Sequence, residues 1–169
     1  FQKPEINGWI DFLPSEIGIN GFECEFAQGI LDEYMCENCK GSKLYIKIIK
    51  QNTRQLEYID EARRLSGEKF LILSQKAENG LELTVTVSCR EGLFRAVNRI
   101  AQMIKKKKFF IGSVTDYPLF AVRGYIEGFY GNPWTHENRK MMLELMSSYG
   151  MNTYYYAPKD DPYHRDKWD

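Results

Sequence analysis

An α+β fold is predicted for this 169-residue chain: a small N-terminal sheet-plus-helix domain, then a single βαβ unit. Three observations predict it. Asn79-Gly80 stands between two strand-like runs, the strongest short-range hairpin signal. An amphipathic helix follows, with Leu93, Phe94, Val97, Ile100, Ala101 and Ile104 at three- and four-residue spacing, so that one face docks on the preceding sheet. Beyond Pro118 the pattern becomes strand, loop, helix, strand, loop, the order of a parallel unit.

Residues 8 to 30 read as one or two irregular strands, Trp9 to Leu13 and Gly21 to Phe26, broken by Pro14 and glycines, with a short helix over Gln28 to Tyr34. Lys43 to Lys50 is β-branched and partly alternating, hence a strand. Leu56 to Leu65 is charged and permits a helix. Lys69 to Ser74 and Leu81 to Ser88 are the two arms of the hairpin, and Glu91 to Lys106 is the covering helix. Ile111 to Pro118 reads as a linking strand ended by its proline.

In the second pattern, Phe120 to Ile126 is a short apolar strand and Gly128 to Trp134 a turn-rich loop. Thr135 is an N-cap, with Glu137 near the positive end of the helix dipole. Met141, Met142, Leu145, Met146 and Tyr149 line one face of the helix as core, and Gly150 ends it. Asn152 to Ala157 is the second strand. The domains are therefore 1–117 and 118–169.

The composition, 43% hydrophobic and 27% charged, is that of a chain able to bury a core. Twenty-three basic residues balance 23 acidic ones, so no global charge steers the chain to nucleic acid or an anionic membrane, and no partner of either kind is expected. Lys105 to Lys108 complements a helix dipole at its C-terminus and reads as a solvated helix end. No apolar run approaches the roughly 20 residues that span a bilayer. The chain opens on Phe1 without a signal-like apolar segment, which we read as a processed boundary, so the localisation is left open.

Cys36-Glu37-Asn38-Cys39 has the spacing of half a zinc ribbon or a redox pair. The sequence holds no second such pair, and His136 and His164 lie about a hundred residues away. A turn, Lys40-Gly41-Ser42, follows where a redox pair would open a helix. Loop cysteines are the expected reading, with no metal and no cofactor.

The chemistry gathers after the two C-terminal strands. Gly128 and Gly131 let backbone approach a ligand closely. Phe129, Tyr130 and Trp134 offer flat apolar faces with polar edges, suited to sugar rings and to cores alike. Lys159 follows the second strand beside Asp160 and Asp161, placed to donate hydrogen bonds to hydroxyls. Glu127 reads as a strand-end ion-pair partner before a catalytic acid. Asp160-Asp161 has the look of a glycosidase carboxylate pair, yet adjacent side chains diverge, and a turn role or pairing with Arg165 is the plainer reading.

Arg123-Gly124-Tyr125-Ile126-Glu127-Gly128-Phe129-Tyr130-Gly131-Asn132-Pro133-Trp134 and the stretch Met151 to Arg165 closely resemble the opening of the catalytic barrel in glycoside hydrolase family 84, the O-GlcNAcases and the bacterial hyaluronidases or β-N-acetylglucosaminidases. Residues 40 to 117 resemble, more weakly, the hexosaminidase-like α+β domain that precedes that barrel. The resemblance implies the first βαβ unit of a truncated (β/α)8 TIM barrel, with ligand loops at its C-terminal face. It also implies a retaining, substrate-assisted mechanism, in which the substrate's acetamido oxygen attacks the anomeric carbon, one aspartate orients that group and its neighbour is general acid and base. Gly128, through its backbone, and Lys159 match positions that contact N-acetylglucosamine; Phe129 and Tyr130 match the pocket wall. A secreted or cell-surface bacterial protein is favoured on the same ground.

The family's catalytic aspartate pair follows the fourth barrel strand, and these residues reach the second. The chain is therefore expected to be an N-terminal fragment, inactive alone, with carbohydrate as its partner. Its two unpaired barrel strands are expected to self-associate or to fold residues 120 to 169 back on the first domain. The alternatives are a stand-alone carbohydrate-binding or interaction module and a zinc or thiol protein built on Cys36 and Cys39.

Overall fold

Alternation of buried and exposed residues builds a six-stranded sheet in the computed structural model, which describes residues 5–34, 42–51, 67–129 and 133–158. Its strands are β1 (Glu5–Asp11), β2 (Pro14–Gly21), β3 (Ser42–Lys50), β4 (Phe70–Ala77), β5 (Gly80–Val87) and β6 (Lys108–Asp116), in the spatial order β1-β6-β4-β5-β3-β2. The hairpin β4–β5 is antiparallel, whereas β2–β3 and β3–β5 are parallel. Helix α1 (Cys24–Leu31) carries the chain from β2 to β3, and α2 (Arg90–Lys106) carries it from β5 over β4 to β6.

The sequence explains the layering. Leu44, Ile46 and Ile48 alternate along β3, Phe70 and Ile72 along β4, and Leu81, Leu83 and Val85 along β5, all buried. They meet Leu93, Val97, Ile100 and Ile104 of α2 and Ala27 and Leu31 of α1 in one core. Tyr45, Lys47, Leu73 and Gln75, on the intervening positions, are exposed. Lys107 ends α2 in the left-handed conformation, its N–H donating to the carbonyls of Met103 and Ile104, and Lys105 to Lys108 are all exposed, as a solvated helix end requires. Gly80 forms the hairpin at a φ of +150°, and a side chain there would strike the Lys43 carbonyl of the parallel neighbour β3.

Four expectations for this sheet need correction. Pro14 opens β2 instead of breaking a strand; β2 is an edge strand, where the missing N–H is tolerated. Gly21 to Phe26 is no strand, because Gly21 at a φ of +103° and Glu23 at +51° turn the chain into α1. That helix starts at Cys24, four residues before the expected Gln28, and Asp32–Tyr34 continue it as one tight turn. The segment 111–118 is part of β6, an interior strand rather than a link, anchored by the buried Phe109 and Phe110. The expected helix over Leu56 to Leu65 lies outside the described residues, as do Cys36 and Cys39; Cys24 and Cys89 are free thiols.

The chain divides into two units, Phe1–Leu119 and Phe120–Asp169. In the second, β7 (Gly124–Phe129) and β8 (Thr153–Pro158) pair in parallel, joined through α3 (His136–Ser148). The Thr135 hydroxyl caps α3 by accepting the Asn138 N–H at 3.3 Å. The first strand starts at Gly124 rather than Phe120. Arg123 is the reason: its guanidinium donates to the carbonyls of Phe120 and Gly150, and its own carbonyl accepts the N–H groups of Asn152 and Thr153, folding 120–123 into a turn.

Gly124 lies so close to β8 that a Cβ there would overlap the Thr153 carbonyl oxygen. Gly124→Ala is accordingly expected to part the strand pair and destabilise this unit by more than about 1 kcal/mol. Urea unfolding followed at a residue of β8 tests it; an unchanged midpoint refutes it.

The apolar face expected of α3 is largely absent from the core of its unit. Met146 is buried, while Met141, Leu145 and Tyr149 are more than half exposed. Two strands are too narrow a platform for a full helical stripe. Met141, Met142 and Leu145 instead line an open groove of about 370 Å³ with Trp134 and Asn138. Among the described residues no helix is long and apolar enough to cross a membrane.

Candidate functional site

Register sets the site. In the parallel pair Tyr125 stands beside Tyr154, Glu127 beside Tyr156, and Gly128 beside Ala157. Side chains alternate across a strand, so Tyr125, Glu127, Tyr154 and Tyr156 share one face, the one that α3 covers. Ile126, Gly128 and Tyr155 share the other, where Ile126 and Tyr155 are both more than half exposed.

On the covered face a carboxylate is enclosed. Glu127 is only 1% exposed. Its Oε1 accepts the Trp134 backbone N–H at 3.1 Å and Arg139 Nη2 at 2.9 Å. Its Oε2 accepts Arg139 Nε at 2.8 Å and the Tyr154 hydroxyl. A buried charge persists only when paired and hydrogen-bonded, and four donors on two oxygens satisfy both conditions. Arg139 also lies over the Tyr156 ring at 5.0 Å, and Trp134 stacks on Tyr125 at 5.4 Å.

These contacts set the ionisation. The Arg139 hydrogen bonds, opposed by burial and helped by Tyr154 and the Trp134 N–H, hold the Glu127 carboxyl down to about 2, well below its ordinary 4.5. The same bonds raise Arg139. Burial, with the Glu127 hydrogen bond second, raises the Tyr154 phenol. A carboxyl so strongly ionised does not serve as a proton donor near neutral pH. Glu127 is the ion-pair partner expected of a strand end.

Of the residues expected to touch sugar, Gly128 lies one position before the end of β7, exposed, on the face opposite the Glu127 carboxylate. Phe129 is the last residue of β7, in register with Pro158. Tyr130 and Lys159 lie outside the described residues, as do Asp160, Asp161 and Arg165. Sequence reasoning missed Arg139 and Tyr154 as the partners of Glu127. A signal was present: Arg139 shares a helical stripe with Met142 and Met146, at spacings of three and seven. A cation on an apolar stripe needs an anion on the strand it covers.

With this geometry in place, resemblance to known proteins can be set beside it. Residues 123–169 match the model of a family described as beta-N-acetylglucosaminidase. The Protein O-GlcNAcase chains of Rattus norvegicus and Mus musculus are each 51% identical to this chain over 45 residues, 27% of this chain and 5% of theirs. The solved structure of CpGH84B superposes at a TM-score of 0.66 with 25% identity, over 98% of this chain and 31% of that one. CpGH84D superposes at 0.66 with 21% identity, over 96% and 30%, a likeness of fold alone. This chain thus spans under a third of the solved chains it resembles.

The mixed α+β fold, and a site built where β7 and β8 end, are of the N-acetylglucosaminidase type. The chain is related to glycoside hydrolase family 84.

Proposed function

We propose that this chain supplies the first part of the N-acetylglucosamine pocket of a retaining, substrate-assisted β-N-acetylglucosaminidase. In this reading β7–α3–β8 is the first βαβ unit of a (β/α)8 barrel, and its loops lie at the C-terminal face where such barrels bind ligands. The observation that carries the reading is the coincidence of two facts at one place: Gly128 is exposed at the C-terminal end of β7, and it lies within the family match that begins at residue 123.

Gly128 offers backbone with no side chain in the way of a ring, and Lys159 offers three donors to hydroxyls. Phe129 and Tyr130 form the wall. The substrate's own acetamido oxygen is the nucleophile, and the acids that orient it and protonate the leaving group are not among the residues assigned here. No side chain of the described strand ends is a carboxylate free for proton transfer, since Glu127 is committed to Arg139. The domain division at 117/118 belongs to the same reading, with the six-stranded sheet as the domain preceding the barrel.

Titrating the 169-residue chain with N-acetylglucosamine, followed by NMR, tests the proposal. Part of a pocket gives few convergent contacts, so a dissociation constant of about 1 mM or weaker is expected, with shifts at the Gly128 amide. No 4-nitrophenol is expected from the aryl N-acetylglucosaminide. Measurable release refutes the division of labour. An affinity tighter than about 100 μM that Lys159→Ala abolishes favours a stand-alone binding module.

A further inference from the structure

The Glu127 cluster joins elements that are separate in sequence. Glu127 lies at the start of the segment 128–133, and Trp134, whose N–H it accepts, lies at its end. Arg139 belongs to the first turns of α3, and Tyr154 to β8. One carboxylate therefore closes the loop that leaves β7, fixes the start of α3 above it, and bonds the neighbouring strand. Stacking of Trp134 on Tyr125 adds a second contact between the far end of the loop and β7.

We propose that Glu127 is a positioning residue: by tying Trp134, Arg139 and Tyr154 to the end of β7, it holds the loop beginning at Gly128 in the form that binds N-acetylglucosamine. The inference rests on the sugar-pocket reading above and deepens it, because it assigns that pocket's shape to a side chain on the opposite face of the strand. Glu127 touches no sugar. It acts through the backbone of the next residue and through the closure of the loop, where small displacements of contact groups lower affinity steeply.

The geometry also separates the roles of the partners. Trp134 offers one backbone donor, which any acceptor at the Oε1 position satisfies. Arg139 offers a planar fork that matches a carboxylate and no amide. Lysine in its place keeps the charge and loses the second bond. Tyr154 contributes a single hydroxyl, whose loss leaves the other three donors in place.

The test uses the full chain, N-acetylglucosamine as the probe, and two readouts for each variant: the dissociation constant from shifts at Gly128, and hydrogen exchange at the Trp134 amide. Glu127→Ala is expected to weaken binding by about tenfold or more, the scale of one hydrogen bond, and to remove protection of the Trp134 amide. The unfolding of Phe1–Leu119 is expected to stay unchanged. Arg139→Lys is expected to weaken binding by a smaller factor, and Tyr154→Phe least.

A folded Glu127→Ala chain that binds as tightly as the wild type overturns the positioning role and leaves the pocket reading intact. If Glu127→Ala does not fold, Arg139→Lys and Tyr154→Phe decide, and wild-type affinity in both overturns the role. A wild-type chain that shows no shift at Gly128 overturns the pocket reading itself, and the positioning role with it.

Discussion

Leu83→Ala is expected to destabilise the six-stranded unit by about 2–5 kcal/mol, the range for a fully buried leucine whose cavity closes only in part. Leu83 is 0% exposed on β5, in register with Ile46 of β3 on one side and Ser74 of β4 on the other. Strands flank it on both sides and α2 packs on the same sheet, so little can move in to fill the space. Leu73, whose side chain lies on the uncovered face of β4, is the control: at 41% exposure, Leu73→Ala is expected to cost under about 1 kcal/mol. Urea unfolding monitored in residues of β3 separates the two, with the midpoint moving and the slope constant. Equal losses at both positions would contradict the one-sided core.

Acid is expected to weaken the second unit through Glu127. Its folded pKa is depressed to about 2 against an ordinary 4.5. The folded form thus binds this proton less readily than the unfolded form does. The stabilisation is complete above about pH 4.5, and it is lost as pH falls from there through 2. The stability of Phe120–Asp169 should therefore drop across that window, and hydrogen exchange at the Trp134 amide, corrected for its intrinsic pH dependence, reports it directly. In Glu127→Gln that component should be absent, leaving a lower and flatter profile. A wild-type profile that is flat from pH 5 to 2.5 contradicts the ion pair.

Much of the fold was legible because its signals are local. Asn79-Gly80 announced the hairpin, the spacing from Leu93 to Ile104 announced α2, and Thr135 announced the start of α3. The N-terminal strands were not legible in the same way. Strand β2 pairs in parallel with β3 through a helix, so no turn marks it, and its first residue is a proline that only an edge position excuses. Strand β6 was hidden by the lysine run in front of it and by partners distant in sequence.

The candidate site was half legible. A glycine at a strand end is visible in one dimension, as is a carboxylate one residue before it. The enclosure of that carboxylate is not visible there, because Arg139 reads as a solvated helix residue until its stripe is seen to face Glu127. Tyr154 reads as one of three successive tyrosines, and only register tells which of them turns toward α3.

The place of β1 in the sheet has a consequence for synthesis. Glu5 pairs with Ser113 and Asp11 with Lys108, so the strand made first joins the sheet only after β6 has left the ribosome. Until then β6 is itself unmade, and the earlier strands β2 to β5 form the sheet with β4 as an open edge. The apolar residues of β1, Ile6, Trp9 and Ile10, wait through that interval without their partners. The nascent chain is thus most open to chaperone capture and to aggregation just before residue 116 emerges.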